Sequence, residues 1–432
     1  MLKHKAFRAF PALMAALILT LPLSPGRAGR AGAGPPPAEE ETAAVIRTDC
    51  IPAPGEASTE ALSTQALPAA GEAGDFTDTG EEDHMLVVGY YDGMAADRGF
   101  TPLKIDAENI DVILYAFAAI GGNMEVVIKN TVDTSNFAEL RELKKAYPHL
   151  KTMISVGGWR GSGRFSDAAL SEESREIFAG SAVKFLKKYD FDGIDIDWEF
   201  PVYGGLETNS NRAEDRENYT LLLEELRKKL DKQGEMDGKQ YLLSFAGGAG
   251  SGYTENTELP KMAEYVDFAT IMTYDLHGGW EPYTDFNAPL RAHSQQSPQS
   301  IASADQSVKL WIEKGFPASK IVLGVPFYGY VYSCAEESED GLYAKHSGFD
   351  TVSYDKIMTA FLPQGEFTRY VSELAQVPWL YNGSIFISYD DEQSLGEKAG
   401  YAVRNGLGGV SIWELSQNAD GRLLDALVSN LD

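Results

Sequence analysis

A run of alternating acidic and apolar residues lies between Phe191 and Pro201, where the chain reads FDGIDIDWEFP. Because successive side chains of a strand point to opposite faces, we expect Asp195, Asp197 and Glu199 to share one face. The rise of a strand puts neighbouring carboxyl groups of this row about 6.6 Å apart, so their titrations interact where water is scarce. The row therefore needs protons, hydrogen-bond partners or a metal ion.

The residues alone leave three interpretations of this row open. It could be the solvated face of an edge strand, since charge runs usually face water, although its bulky neighbours argue against that. It could bind a divalent metal, but the EF-hand pattern does not fit, because its glycine must be sixth and Gly193 is fourth from Asp190. It could perform acid catalysis, with Glu199 nearest the substrate and a proton shared between Asp195 and Asp197.

Eight short apolar segments after Met85 are predicted to be strands. They span residues 86–91, 112–119, 152–156, 193–199, 241–246, 268–274, 321–327 and 409–413. Amphipathic stretches at 136–145, 173–189 and 216–232 alternate with them, which indicates parallel strands joined by crossover helices. A doubly wound sheet would give the same alternation. The count of eight, and the polar and aromatic residues at several strand ends, favour an α/β fold of the (β/α)8 TIM barrel type.

The connection between the seventh and eighth strands is unusually long. It holds about 80 residues, whereas a crossover with its helix needs about 12. Short runs of alternating apolar and polar residues at 329–385 predict a small α+β subdomain inserted there. A pattern typical of a helix follows at 392–405. We therefore expect a catalytic domain over residues 84–432 with this one insertion.

Residues at the carboxyl ends of barrel strands are the candidates for a functional site. Besides the acidic row, they are Tyr90, Phe117, Gly158, Trp159, Met272, Tyr274 and Trp413. Each could equally be a core residue, but the paired glycines at 157 and 158 allow backbone or ligand to approach closely. Together, carboxyl groups and aromatic faces are typical of a carbohydrate site, where rings stack on sugars and carboxyls act as acids.

Composition excludes several kinds of partner. The formal net charge of −27 disfavours nucleic acids and anionic membrane surfaces, so we expect a neutral ligand. The six histidines show no paired ligand spacing and two cysteines are too few for structural zinc, so neither a metal nor a cofactor is predicted. Cys50 and Cys334 are compatible with one disulfide in an oxidising compartment.

The amino-terminal region resembles a secretory signal. Lys3, Lys5 and Arg8 precede an apolar run over residues 9–23, and small residues follow. We expect a signal peptide and cleavage region at 1–33, a disordered tether rich in Pro, Ala and Glu at 34–83, and a secreted monomer. A retained membrane anchor is the alternative, although prolines interrupt the short apolar run.

Three motifs resemble glycoside hydrolase family 18, the chitinases. Residues 192–199, DGIDIDWE, are similar to that family's Asp-x-x-Asp-x-Asp-x-Glu signature. Residues 155–158, SVGG, resemble its strand-three motif, and residues 272–275, MTYD, its strand-six motif. The likeness runs from Met85 to the carboxyl terminus, and the 329–385 insertion resembles the one carried by a bacterial chitinase branch.

The resemblance implies a role for each residue of the acidic row. Glu199 would protonate the glycosidic oxygen, and the acetamido group of the sugar, not a protein carboxylate, would act as nucleophile. Asp197 would bind the acetamido N–H, Asp195 would exchange a proton with Asp197, and Tyr274 would hold the acetamido oxygen. Substrate contacts would come from Trp413 as the floor, with Tyr90, Phe117, Gly158, Met272 and Asp275 around it and Trp159 and Trp280 toward neighbouring sugars.

The resemblance therefore implies a secreted chitinase that hydrolyses β-1,4-linked N-acetylglucosamine polymers with retention. Its partners would be chitin or chito-oligosaccharides. A chitin-binding lectin on the same barrel is one alternative, disfavoured by the presence of Glu199. An endo-N-acetylglucosaminidase or a cell-wall N-acetylglucosaminide hydrolase is the other, disfavoured by the insertion.

Overall fold

The computed structural model describes residues 84–293, 302–334 and 338–431. The predicted signal region at 1–33, the tether at 34–83 and Cys50 lie outside the described residues. Among the described residues, no helix is long and apolar enough to cross a membrane.

The described strands and helices alternate through the first half of the chain. The strands are β1 Leu86–Asp92, β2 Val112–Ile120, β3 Val126–Val127, β4 Lys151–Gly157, β5 Gly193–Asp197, β6 Leu242–Gly248, β7 Phe268–Met272, β8 Ile321–Pro326, β9 Tyr328–Cys334, β10 His346–Ser353, β11 Thr368–Ser372, β12 Val377–Tyr381, β13 Ile385–Ser388 and β14 Gly409–Trp413. The helices are α1 Asp133–Ala146, α2 Phe165–Ala169, α3 Glu172–Tyr189, α4 Asp215–Asp237, α5 Ser251–Glu255, α6 Leu259–Met262, α7 Ala304–Glu313, α8 Tyr354–Lys356, α9 Glu392–Arg404 and α10 Arg422–Val428.

Eight parallel strands close into a barrel in the order β1-β2-β4-β5-β6-β7-β8-β14, with β14 paired to β1. The predicted TIM barrel is therefore confirmed. Three strands end earlier than predicted, since β5 stops at Asp197, β7 at Met272 and β8 at Pro326. Asp197 is the last paired residue of β5, opposite Gly157, where β4 ends with a φ of +114°, and opposite Ala246 of β6. Glu199 and Tyr274 consequently lie on the loops above the barrel.

The two faces of β5 lie in different surroundings, as the alternation of its residues predicts. Ile194, Ile196 and Trp198 belong to the core between the barrel and its helices. The Trp198 ring lies 5.3 Å from the Phe165 ring of α2 and 5.0 Å from the Tyr219 ring of α4. Burying each such side chain stabilises the fold by about 1.5–3 kcal/mol, which anchors the strand that carries the acidic row.

The helices behind β5 have clear sequence determinants. Ser171 and Ser174 form a capping box at the start of α3, which satisfies backbone N–H groups that the helix leaves free. The buried face of α4 includes Leu222, Leu226 and Leu230, four residues apart along one stripe. Gly238 ends α4 with a φ of +66°. These helices fix the outer surface of the strand.

A second sheet is inserted between β8 and β14, as predicted. Its five strands run antiparallel in the order β10-β9-β13-β12-β11, and a helical stretch over 354–364 connects β10 to β11. The sheet begins at Tyr328 and ends at Ser388, slightly beyond the predicted range of 329–385. Because β9 follows β8 almost directly, its first residues lie beside the carboxyl ends of the barrel strands.

Candidate active site

The acidic row becomes more accessible along the chain. Asp195 is fully buried inside the barrel, Asp197 is 4% exposed, and Glu199 is partly exposed at the mouth. This order agrees with the prediction that Glu199 would lie nearest a ligand and Asp195 deepest.

Asp195 is surrounded by hydroxyl donors. Its Oδ2 accepts hydrogen bonds from Ser155 at 2.7 Å and Tyr90 at 3.2 Å, and its Oδ1 accepts one from Ser244 at 2.8 Å. Burial raises the pKa of Asp195, and the three hydrogen bonds oppose that rise by stabilising the carboxylate. Ser155 and Ser244 stand directly opposite Asp195 on β4 and β6. These donors therefore offset part of the cost of a negative charge on Asp195 deep in the barrel.

Asp197 has the opposite environment. Its Oδ1 is buried and receives no hydrogen bond from the described residues. Burial, then the charges of Glu199 and Asp195, raise its pKa well above the usual value. This environment favours the protonated form of Asp197 and leaves one of its oxygens for an incoming polar group. A proton shared with Asp195 stays a prediction.

Glu199 carries a proton at neutral pH. Burial, followed by the negative charge of Asp275, raises the pKa of Glu199 to about 8. A carboxylic acid that keeps its proton near pH 7 and can still be reached from solvent is suited to general acid catalysis.

The backbone of Glu199 is held on both sides by buried or half-buried polar side chains. Ser162 Oγ accepts from the Glu199 N–H at 2.9 Å and is itself within 2.9 Å of the Gly158 carbonyl and 3.1 Å of the Asp197 carbonyl. Asn209 Nδ2 donates to the Glu199 carbonyl at 3.0 Å. These contacts fix the loop that presents the acid.

The paired glycines after β4 allow this close packing. A Cβ on Gly157 would lie 2.1 Å from the Asp197 carbonyl oxygen, and one on Gly158 would lie 2.6 Å from the Phe117 ring. Both residues have positive φ, +114° and +74°. Any other residue would therefore displace either β5 or Phe117.

Tyr274 and Asp275 lie just beyond β7 and face the insertion. Asp275 accepts hydrogen bonds from the hydroxyls of Tyr328 and Tyr330 on β9, and its N–H donates to Asn287 Oδ1 at 2.9 Å. Although Asp275 is exposed, desolvation by its packed neighbours raises its pKa, and the two tyrosines oppose that rise. Burial also raises the pKa of Tyr274 well above its usual value, so its phenol remains a hydrogen-bond donor.

Aromatic rings form the floor around the row. The Trp413 ring lies 5.7 Å from the Phe117 ring in a stacked arrangement and 5.4 Å from the Tyr90 ring. Met272 packs in the same cluster as Tyr274 and Trp413. Tyr90 is only 1% exposed and donates to Asp195, so it lies beneath this floor and acts on the carboxyl.

Two tryptophans extend the apolar surface away from the floor. Trp159, after β4, is 42% exposed, and Trp280, after β7, is 45% exposed. Trp280 packs edge-on against Tyr330 at 6.4 Å and Phe349 at 6.5 Å, both on the inserted sheet. Exposed indole rings on either side of a carboxyl row suit a ligand longer than one sugar ring.

Sequence reasoning missed several residues that shape the site. They are Ser162, Asn209, Ser244, Asn287, Tyr328 and Tyr330, together with the contact of Ser155 to Asp195. Serine, asparagine and tyrosine are common, so only strand register and loop geometry reveal their role. Within the described part of the chain, no group of three or more His, Cys, Asp or Glu residues is arranged to hold a metal ion.

Comparison with known proteins gives both curated relatives and solved structures. Chitinase A1 of Niallia circulans is 39% identical over 410 residues, which cover 81% of this chain and 59% of that protein. The present chain thus spans less than two thirds of that relative's length. Among solved structures, chitinase ChiW from Paenibacillus sp. str. FPU-7 matches with a TM-score of 0.75 and 37% identity, over 80% of this chain and 32% of that one.

A family 18 N-acetylglucosaminidase from Paenibacillus barengoltzii matches over its whole length. The TM-score is 0.74 and the identity 34%, with 81% of the present chain covered. The family described as glycosyl hydrolases family 18 matches residues 86–418. Since that match includes the barrel, the acidic row and the inserted sheet, the chain belongs to glycosyl hydrolases family 18.

Proposed function

We propose that this chain is a secreted chitinase that hydrolyses β-1,4-linked N-acetylglucosamine polymers by substrate-assisted, retaining catalysis. The observation that carries the proposal is the pairing of a protonated, accessible Glu199 with a buried Asp197 whose Oδ1 lacks a donor. One group can supply a proton to a leaving oxygen while the other accepts an amide N–H. Substrates that carry both groups on one sugar are N-acetylated glycans.

In the first step the Glu199 proton moves to the glycosidic oxygen as the bond from that oxygen to the anomeric carbon breaks. The acetamido carbonyl oxygen of the same sugar forms a new bond to the anomeric carbon, which gives an oxazolinium ion. Asp197 accepts the acetamido N–H and stabilises the positive charge, while the Tyr274 hydroxyl orients the acetamido oxygen. Asp195, supported by its three donors, provides the negative charge behind Asp197.

In the second step water attacks the anomeric carbon from the side that the leaving group vacated. Its proton moves to the Glu199 carboxylate, and the bond between the anomeric carbon and the acetamido oxygen breaks. Two inversions give net retention, and Glu199 regains its proton. Trp413 supports the reacting sugar, and Trp159 and Trp280 support its neighbours along the chain.

Glu199→Gln is the direct test. We expect turnover of chitohexaose to fall by at least about 10²-fold with binding retained, because the variant keeps the shape of the side chain and loses the transferable proton. Glu224→Gln, on the exposed outer face of α4, is the matched control and should retain full activity. Unchanged turnover in Glu199→Gln would refute the mechanism, and a wild-type protein that binds without turnover would identify a lectin.

A de-N-acetylated substrate tests the role of the acetamido group separately. Chitohexaose whose reacting sugar lacks the acetyl group should bind but resist cleavage, since the attacking oxygen is gone. Cleavage at the normal rate would point to a protein nucleophile instead. Mass analysis of the products would also distinguish internal cleavage from the release of single N-acetylglucosamine units.

A further inference from the structure

Two positive charges lie beside the floor on the Trp159 side of the site. Lys129 follows β3, and its Nζ lies 5.4 Å from the centre of the Phe117 ring. Phe117 in turn stacks on Trp413. Arg160 directly follows the exposed Trp159 and comes two positions after Gly158, where a Cβ would lie 2.6 Å from the same Phe117 ring. Both cations are exposed.

Neither cation has a counter-ion among the described residues. In residues 84–293, 302–334 and 338–431, no carboxylate oxygen lies within 4.0 Å, the limit for a salt bridge, of a side-chain nitrogen of Lys129 or Arg160. The acidic groups that act on Lys129 are Asp92 and Asp133, and both have other partners. Asp92 pairs with Arg98 at 2.9 Å, and Asp133 accepts from the Tyr115 hydroxyl at 2.7 Å.

This arrangement is unfavourable for the protein alone. Desolvation against the floor, opposed by Asp92 and Asp133 and reinforced by Arg160, lowers the pKa of Lys129. A bound anion between them would relieve both their repulsion and the desolvation of Lys129.

We propose that Lys129 and Arg160 form an anion subsite that takes a carboxylate carried by an N-acetylated sugar next to the one being cleaved. The net negative charge of the molecule repels free anions, so a small ion gains little here. A carboxylate joined to a glycan is brought in by stacking of the sugars on Trp413 and Trp159. Glycans that alternate N-acetylglucosamine with its lactyl ether, N-acetylmuramic acid, have this chemistry.

The anion subsite rests on the proposed function. Measuring the binding of glycans to the inactive Glu199→Gln protein tests the subsite. The ligands are chitotetraose, a peptide-free tetrasaccharide that alternates N-acetylglucosamine with N-acetylmuramic acid, and the methyl ester of that tetrasaccharide. We expect the acid to bind at least about fivefold more tightly than its ester, the scale of an exposed ion pair. Raising the salt concentration to about 0.5 M should remove the difference.

Lys129→Met and Arg160→Gln, each added to Glu199→Gln, should each reduce the ratio of acid to ester affinity by about threefold or more. Lys151→Met is the matched control, because Lys151 is an exposed cation at the opposite end of β4, and it should leave the ratio unchanged. Inorganic phosphate, added as a competitor at concentrations near the Kd of the acid, should displace neither the acid nor chitotetraose.

Each outcome is decisive. Equal affinity for acid and ester, or a ratio unaffected by Lys129→Met and Arg160→Gln, would overturn the subsite while chitotetraose binding leaves the proposed function intact. Displacement by phosphate would reassign the pair to a free anion. Failure of all three glycans to bind would overturn the proposed function itself.

Discussion

At the scale of single residues, neighbouring carboxyl groups of the site have environments that favour different protonation states. Three hydroxyl donors support a charge on Asp195, whereas Asp197 has a buried oxygen without a donor and Glu199 lies near Asp275. The three carboxyl groups of the row cannot all ionise where water is scarce, so their environments decide which of them keep protons. Glu199, the most accessible of the three, is one that keeps its proton.

The pH dependence of activity tests this division. Because Glu199 must be protonated to act as an acid, we expect kcat/KM to fall as pH rises through about 8. Asp275→Asn removes the negative charge that contributes to the raised pKa, so the alkaline limb should move to lower pH. Asp350→Asn, an exposed change on β10, is the control and should leave the limb in place. An alkaline limb unmoved by Asp275→Asn would show that Asp275 does not tune the acid.

At the scale of elements, sequence patterns predict the alternation of side chains along a strand. They do not predict contacts that depend on how neighbouring strands align. The period of two in residues 193–197 indicates which carboxyls face inward, and the glycines at 157 and 158 indicate close packing. The contacts of Asp195 with Ser155 and Ser244 depend on how three strands align, which local sequence does not encode. Likewise Tyr328 reaches Asp275 from 53 positions away along the chain.

The alternation of acidic residues also does not predict where β5 ends. Residues 193–199 read as one continuous strand, yet pairing stops at Asp197, level with the turn of β4 at Gly157. Glu199 is then held by Ser162 and Asn209 rather than by a sheet. The position of Glu199 thus depends on the loop after β4 as much as on β5.

Ser162→Ala tests the contribution of that loop. The change leaves the Glu199 N–H and two carbonyls without this partner, so we expect the free energy of unfolding to fall by about 1–3 kcal/mol. We also expect kcat to fall by about tenfold with KM nearly unchanged, because the acid is displaced while the aromatic floor stays.

Ser181→Ala is the matched control for this prediction. Ser181 is also buried, and its Oγ accepts from the Val126 N–H and lies within reach of the Phe178 carbonyl, both at 2.8 Å, far from the acidic row along the fold. Its loss should lower stability by a similar amount and leave kcat unchanged. If the two variants reduced kcat equally, the role of Ser162 would be structural only.

At the scale of the whole molecule, stability and catalysis oppose each other at Glu199. The barrel keeps this carboxyl partly exposed in surroundings that raise its pKa to about 8, whereas an unfolded chain would give about 4.3. Between these values the folded state holds a proton that the unfolded state has released. The free energy of unfolding therefore decreases as pH rises across this window and is lowest, with respect to this group, above about pH 8.

Glu199→Gln should remove this dependence and stabilise the protein at alkaline pH. Below about pH 4 the variant and the wild type should unfold at the same temperature, since Glu199 is protonated in both states. At about pH 9 the variant should be more stable by on the order of 2 kcal/mol, because each unit of pKa shift corresponds to about 1.4 kcal/mol and partial exposure reduces the total. This gives a Tm higher by about 3 °C. Calorimetry across this pH range, with Glu224→Gln as the surface control, measures the difference, and a Tm difference independent of pH would refute the raised pKa of Glu199.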